Sequence, residues 1–214
     1  MINTGFREKI SRLFSRAVVY ILWALFAFFL WTFVFNGISD TSRDKKVTLY
    51  INALEVDGTR LSAVLEESMP PGIRMVKAKS FLYSLLGSED LLNADLYIIR
   101  ESDFKEFRES FSGMGHFQYK HPEYTYHEFA EDVSGILVYD QEADVRIGAD
   151  YINYTRIEEN EKDTAVLRYY LMFGRNSHHT GEDAVLLTPE TLSVEADDAA
   201  VAIAEAFLRL NSGK

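Results

Sequence analysis

The chain reads as an α/β protein: one N-terminal transmembrane helix followed by a doubly wound, mostly parallel sheet. Three observations predict this. An uncharged apolar run spans Ala17 to Phe35, and no charge follows Arg16 until Asp40. Beyond it, β-rich runs alternate with segments of helical periodicity in the order strand, helix, strand, helix, strand, helix. The third of these strands is continuously apolar from Leu96 to Ile99, as suits a strand buried on both faces.

Taken in order, residues 1–16 are a basic tail, with Arg7, Lys9, Arg12 and Arg16 against the single acid Glu8. Residues 17–38 are the expected membrane span, since about 20 apolar residues in helical form cover ~30 Å, the thickness of a bilayer core. Positive charge stays in the cytoplasm, so the tail is expected inside and the remaining chain outside, in a single-pass cell-membrane protein. Asn36-Gly-Ile-Ser39 offers no small-x-small cleavage pattern, which makes the run a signal anchor rather than a cleaved signal. Residues 39–46 form a polar linker, and 47–214 an extracytoplasmic α/β domain.

Within that domain Val47-Thr-Leu-Tyr-Ile-Asn-Ala53 is a β-rich run. Leu61, Val64, Leu65 and Met69 recur at helical spacing until Pro70-Pro71-Gly72 stops the helix. Ile73 to Ala78 reads as the next strand. Ser80 is placed to cap a short helix reaching Leu86, with Gly87 as its stop. Ala94 to Arg100 is the third strand, and Ser102 is placed to cap a helix whose Phe104, Phe107 and Phe111 share a face. These three strands are expected to be parallel and adjacent, with 47–53 in the middle. Further on, Gly135 to Asp140 and Ala165 to Phe173 read as strands that extend or brace the same sheet. A last helix runs from about Asp197 to Leu210, with Asp197 and Asp198 at its positive end.

Composition narrows the function classes. The chain has 214 residues, 47% of them hydrophobic, a net charge of −11 and no cysteine, which excludes disulfides, thiolate metal sites and a lipobox. Past residue 16 the chain holds 18 basic and 32 acidic residues, a balance of −14. That field disfavours nucleic acid and anionic membrane surfaces as partners.

Val47-Thr-Leu-Tyr-Ile-Asn-Ala53, the following helix and strand, and Ala94-Asp-Leu-Tyr-Ile-Ile-Arg-Glu-Ser102 together resemble the first lobe of bacterial extracellular solute-binding proteins of ABC importers. Tyr169-Tyr-Leu-Met-Phe-Gly-Arg-Asn-Ser-His178 and the alanine-rich closing helix look similar to membrane-anchored relatives of such lobes. The resemblance implies one lobe of a periplasmic-binding-protein fold, an extracellular domain, and a transporter permease or another membrane protein as partner. It departs from that family in length, which is too short for two full lobes, and in lacking a lipobox cysteine.

No catalytic constellation stands out. His178-His179 near Glu182 and Asp183, and His116, His121 and His127 in the aromatic segment, lack zinc-ligand spacing and read as exposed loop histidines. Ser177 beside His178 has no orienting acid, and no phosphate loop or Gly-x-Ser-x-Gly occurs. Carboxylate pairs such as Glu66-Glu67 and Glu158-Glu159 read as solvated faces in so acidic a chain. Ligands of doubly wound sheets bind outside the carboxyl ends of the strands. Here that places Asn52, Ser80, Glu101 and Ser102 at the expected ligand position, where two helix N-termini would receive an anion. The expectation is a non-enzymatic, cofactor-free binding or accessory module, serving an ABC-type transporter as the resemblance implies and binding weakly because half a cleft is missing. The alternative is a structural protein-interaction subunit of a membrane complex.

Overall fold

A computed structural model describes residues 17–32, 41–80, 89–130, 133–155, 166–177, 179 and 199–211. The chain divides into two compact units, 1–41 and 42–214. In the first, residues 17–32 form helix α1, whose apolar side chains, Trp23, Phe26 and Phe29 among them, are exposed. Its 16 described residues cover about 24 Å at 1.5 Å per residue, short of a ~30 Å bilayer core. Among the described residues no helix is long and apolar enough to cross a membrane. This corrects the transmembrane helix at 17–38, and with it the signal anchor and the single-pass localisation that rested on it.

The second unit holds strands β1 (Lys46–Ile51), β2 (Glu55–Val56), β3 (Met75–Ser80), β4 (Leu96–Arg100), β5 (Phe111–Ser112), β6 (Tyr126–Ala130), β7 (Val133–Asp140), β8 (Val145–Arg146), β9 (Ile152–Asn153) and β10 (Arg168–Gly174). Its helices are α2 (Gly58–Glu66), α3 (Glu89–Leu92), α4 (Phe104–Phe107), α5 (Gly115–Lys120) and α6 (Ala199–Leu208). The main sheet runs β3-β1-β4-β10-β7-β6, with β5 on β10 and β8 on β7; β2 and β9 pair separately.

β1 is parallel to both of its neighbours, with Tyr50 opposite Lys79 on β3 and Tyr97 on β4. From β10 onward every pairing is antiparallel. The sheet is therefore mixed, not mostly parallel. The reason is connection length: only residues 131 and 132 separate β6 from β7, and a parallel neighbour needs a crossover of a dozen residues or more. β10 then returns beside β4 in the opposite direction.

Two apolar clusters cover the two faces. On one, Val47, Leu49 and Ile51 of β1 meet Leu61 and Leu65 of α2 and Ile203 and Phe207 of α6. On the other, Tyr50 and Tyr97 meet Leu91 of α3, Phe104 and Phe107 of α4, and Phe111. The helix expected to carry Phe104, Phe107 and Phe111 is one turn of α-helix between two 3₁₀ turns, and Phe111 is already on β5. The three rings still share a face, with Phe104 stacked 5.8 Å from Phe111.

The outer edge of β3 is closed by α2. The Val76 N–H donates to Glu66 Oε1 at 3.2 Å and the Ala78 N–H to Ser62 Oγ at 2.9 Å. Side chains of the covering helix thus satisfy amides that would otherwise template another strand. The helices expected over 80–86 and from Asp197 fall on or begin at residues outside those described.

Gly174 ends β10 where its N–H donates to Asp95 O at 2.9 Å. A Cβ at that position would run into the Ala94 carbonyl, a backbone group that cannot swing away. Gly174→Ala is therefore expected to destabilise the chain by about 2–3 kcal/mol through overpacking, read as a lower urea midpoint. An unchanged midpoint would show that β4 and β10 do not approach this closely.

Candidate functional site

The connection leaving β1 leads to α2 on one face of the sheet, and the connection leaving the adjacent β4 leads to α4 on the other. This divergence makes the β1–β4 boundary the topological switch point, the position at which sheets of this kind bind ligands. Asn52 follows β1 there, its N–H continuing the ladder to Ile98 O at 2.7 Å. Its side-chain Nδ2 crosses the boundary and donates to Asp103 Oδ2 at 2.6 Å. The other oxygen of Asp103 accepts from Arg100 Nη2 at 3.1 Å and from Ser102 Oγ at 2.7 Å. The Arg100 and Asp103 side chains are each 10% exposed, so this ion pair is held away from bulk water and screened little by salt.

Of the four residues expected at the ligand position, Asn52 and Ser102 thus meet on Asp103. Ser80 ends β3, and its Oγ donates to Ala53 O at 2.6 Å, beside Asn52 in the chain. Glu101 turns to Arg168 of β10, at 3.6 Å. Arg168 also holds Asp140 at 2.9 Å and Glu142 at 3.7 Å. Burial pulls the Asp140 carboxyl upward, but the Glu142 amide and Arg168 outweigh it and hold the group below its ordinary range.

The expected anion-receiving helix ends do not form as drawn. Ser102 lies in a 3₁₀ turn ahead of the one-turn α4 and gives its hydroxyl to Asp103. The segment following Ser80 lies outside the described residues. Asp103 was not among the expected residues, although its i+3 spacing from Arg100, just past a buried strand, is the signal that marks it.

A second polar cluster sits at the opposite end of β4. Asp95 is 4% exposed. Its Oδ2 accepts from the Thr48 N–H at 2.7 Å and its Oδ1 from Ser177 Oγ at 2.5 Å. The His179 N–H in turn donates to Ser177 Oγ at 2.8 Å. The Ser177 hydroxyl is therefore committed to a carboxylate rather than to an imidazole, and the cluster ties the turn after β10 to β1 and β4. His179, read from sequence as an exposed loop residue, is 4% exposed, and its Nε2 has no partner among the described residues. His178, Glu182 and Asp183 lie outside the described residues. Among those described, no group of three metal-ligating side chains comes together.

A cavity of about 470 Å³ opens beside α4, floored by Leu91, Tyr97 and Phe107 and rimmed by Lys105 and Arg108. Its lining includes none of the four expected residues. No protein-family model, curated protein or solved structure matches this chain.

Burial raises the Asp95 carboxyl above its ordinary range, against the opposing pull of Ser177, the Thr48 amide, His179 and Arg43. The folded chain therefore keeps this proton to higher pH than the unfolded chain does. Below the ordinary aspartate range, near pH ~4, both states hold it; as pH rises through the folded value the folded state loses stability relative to the unfolded. D95N removes the titration while leaving an acceptor for Thr48. Wild type is expected to lose stability relative to D95N as pH climbs above ~4, in urea unfolding series. A difference that does not change with pH would show that Asp95 titrates alike in both states.

Proposed function

We propose that this chain is a non-catalytic binding module that takes a small polar ligand at the β1–β4 switch point. The observation that carries the reading is the hydrogen bond from Asn52 to Asp103. It joins the two strand ends where the connections diverge, with Arg100 and Ser102 fixing the carboxylate from behind. Four charged or polar groups held in one place at the switch point provide orientation without reorganisation on binding. A ligand that can replace the Asn52 amide would open this bridge and rest on Asp103. Its hydroxyl or amino groups would meet an acceptor already positioned by Arg100. Association with a transporter is what the resemblance to a solute-binding lobe implies.

Asn52 and Ser80 are half-buried and Ser102 is exposed. A ligand there stays partly wet and gains less contact to offset its immobilisation. Affinity for the isolated chain is therefore expected to be weaker than about 1 μM, rising when a partner covers the open side.

The test is a thermal-shift and calorimetric titration of the chain with a panel of sugars, amino acids and short peptides. A ligand that binds wild type is expected to lose about tenfold or more in affinity to D103N, since a charged hydrogen-bond acceptor is removed, and less to N52A. The reading fails if nothing in the panel binds. It also fails if a ligand binds D103N undiminished, the result expected of the cavity beside α4.

A further inference from the structure

His121 follows α5, and both of its ring nitrogens face carboxylates. Nδ1 lies 3.1 Å from Glu123 Oε1 and Nε2 lies 2.9 Å from Glu205 Oε1. Glu123 belongs to the turn after α5, whereas Glu205 belongs to α6, 84 residues away in the chain. A neutral imidazole carries one N–H and one lone pair. In either tautomer it would set a lone pair against one of these carboxylate oxygens. Two contacts at hydrogen-bond distance require two N–H donors, or a proton on one of the carboxylates.

The surroundings decide between these. Glu123 is exposed, and its carboxyl is held below the ordinary range by its own backbone amide and then by His121. Glu205 offers its second oxygen to Arg209 Nη2 at 3.1 Å, so both of its oxygens face nitrogen donors. The ring of His121 lies 4.6 Å from that of Phe117 and 6.0 Å from that of Tyr124, and nearby aromatic rings favour a cation. Two phenols lie close by among the described residues. Tyr124 is raised by burial and Tyr126, whose hydroxyl donates to His121 O, is pushed up to about 12 by burial, so both keep their protons while an imidazole titrates.

We propose that His121 is a doubly protonated clamp that fastens the terminal helix α6 to the turn after α5 and is released when the ring loses a proton. The apolar side of α6, with Ile203 and Phe207, packs into the same core as β1 and α2. The clamp supplies a charged tether on the rim of that contact. Loss of the proton leaves one nitrogen unable to donate, so one of the two carboxylates faces a lone pair and one attachment turns repulsive. The doubly protonated ring therefore holds α6 down, and the ring with one bare nitrogen loosens it.

The experiment compares the full chain with H121F and E205Q. H121F keeps a ring beside Phe117 and Tyr124 but removes both polar contacts; E205Q keeps an acceptor on α6 but removes its charge. Unfolding midpoints are read from about pH 6 to about pH 9, where an ordinary histidine passes from charged to neutral. Wild type is expected to exceed H121F by a few degrees at the acidic end, and the gap is expected to shrink by about half or more at the alkaline end. E205Q should show a flatter pH dependence than wild type. Nitrogen-15 spectra of the histidine rings should show both nitrogens of His121 protonated at the acidic end. A gap between wild type and H121F that stays constant with pH, or a ring with one bare nitrogen at about pH 6, overturns the clamp.

Discussion

The domain depends on β1 being buried on both faces. All six of its residues are buried, and it is hydrogen-bonded on both edges, to β3 and to β4. A strand so placed can expose nothing, so each neighbour must supply apolar cover. α2 and α6 close one side through Leu61, Leu65, Ile203 and Phe207; α3 and α4 close the other through Leu91, Phe104 and Phe107. Parallel pairing on both edges brings three carboxyl ends to one rim of the sheet. The switch point between β1 and β4 follows from that arrangement, because their connections leave toward opposite faces.

Polar anchors then fix both ends of the β1–β4 pair. At the amino end, Asp95 is buried among the Thr48 amide and Ser177. Removing a carboxylate from water is unfavourable unless its oxygens are satisfied, and here each has at least one donor. At the carboxyl end, Asn52, Arg100 and Ser102 converge on Asp103. The two ends differ in access. The Asp95 cluster is sealed and behaves as a fastener, whereas the Asp103 cluster stands at a rim where Ser102 is exposed. That difference is why the ligand reading attaches to Asp103.

Antiparallel strands complete the sheet. β10 covers the free edge of β4 and brings Arg168 beside Glu101, withdrawing that carboxylate from the ligand position by pairing it. β7 and β6 then carry the sheet outward to the segment bearing His121, whose contacts return to α6. The aromatic segment thus meets α6 through the contact of His121 with Glu205.

How much of this is legible without coordinates follows from what the chain encodes locally. The apolar run Leu96 to Ile99, the helical spacing of Leu61 and Leu65 and the stop at Pro70 determine strand, helix and boundary, because burial and backbone geometry act over a few neighbours. The same local signals mark Asn52, Ser80 and Ser102 as strand-end residues. They carry no strand direction: an apolar run is equally compatible with parallel and antiparallel pairing, so the reversal at β10 and β7 is invisible to them. They also overread the N-terminal run, where apolarity alone suggested a membrane span that the described helix does not have the length to make. Nor do they reveal partners separated by long stretches of chain. Asn52 meets Asp103 across 51 positions and Ser177 meets Asp95 across 82. By itself the sequence determined that the central strands are buried and that a helix follows the first of them. Only tertiary structure decided which polar groups face one another, because those contacts exist only once the sheet has assembled.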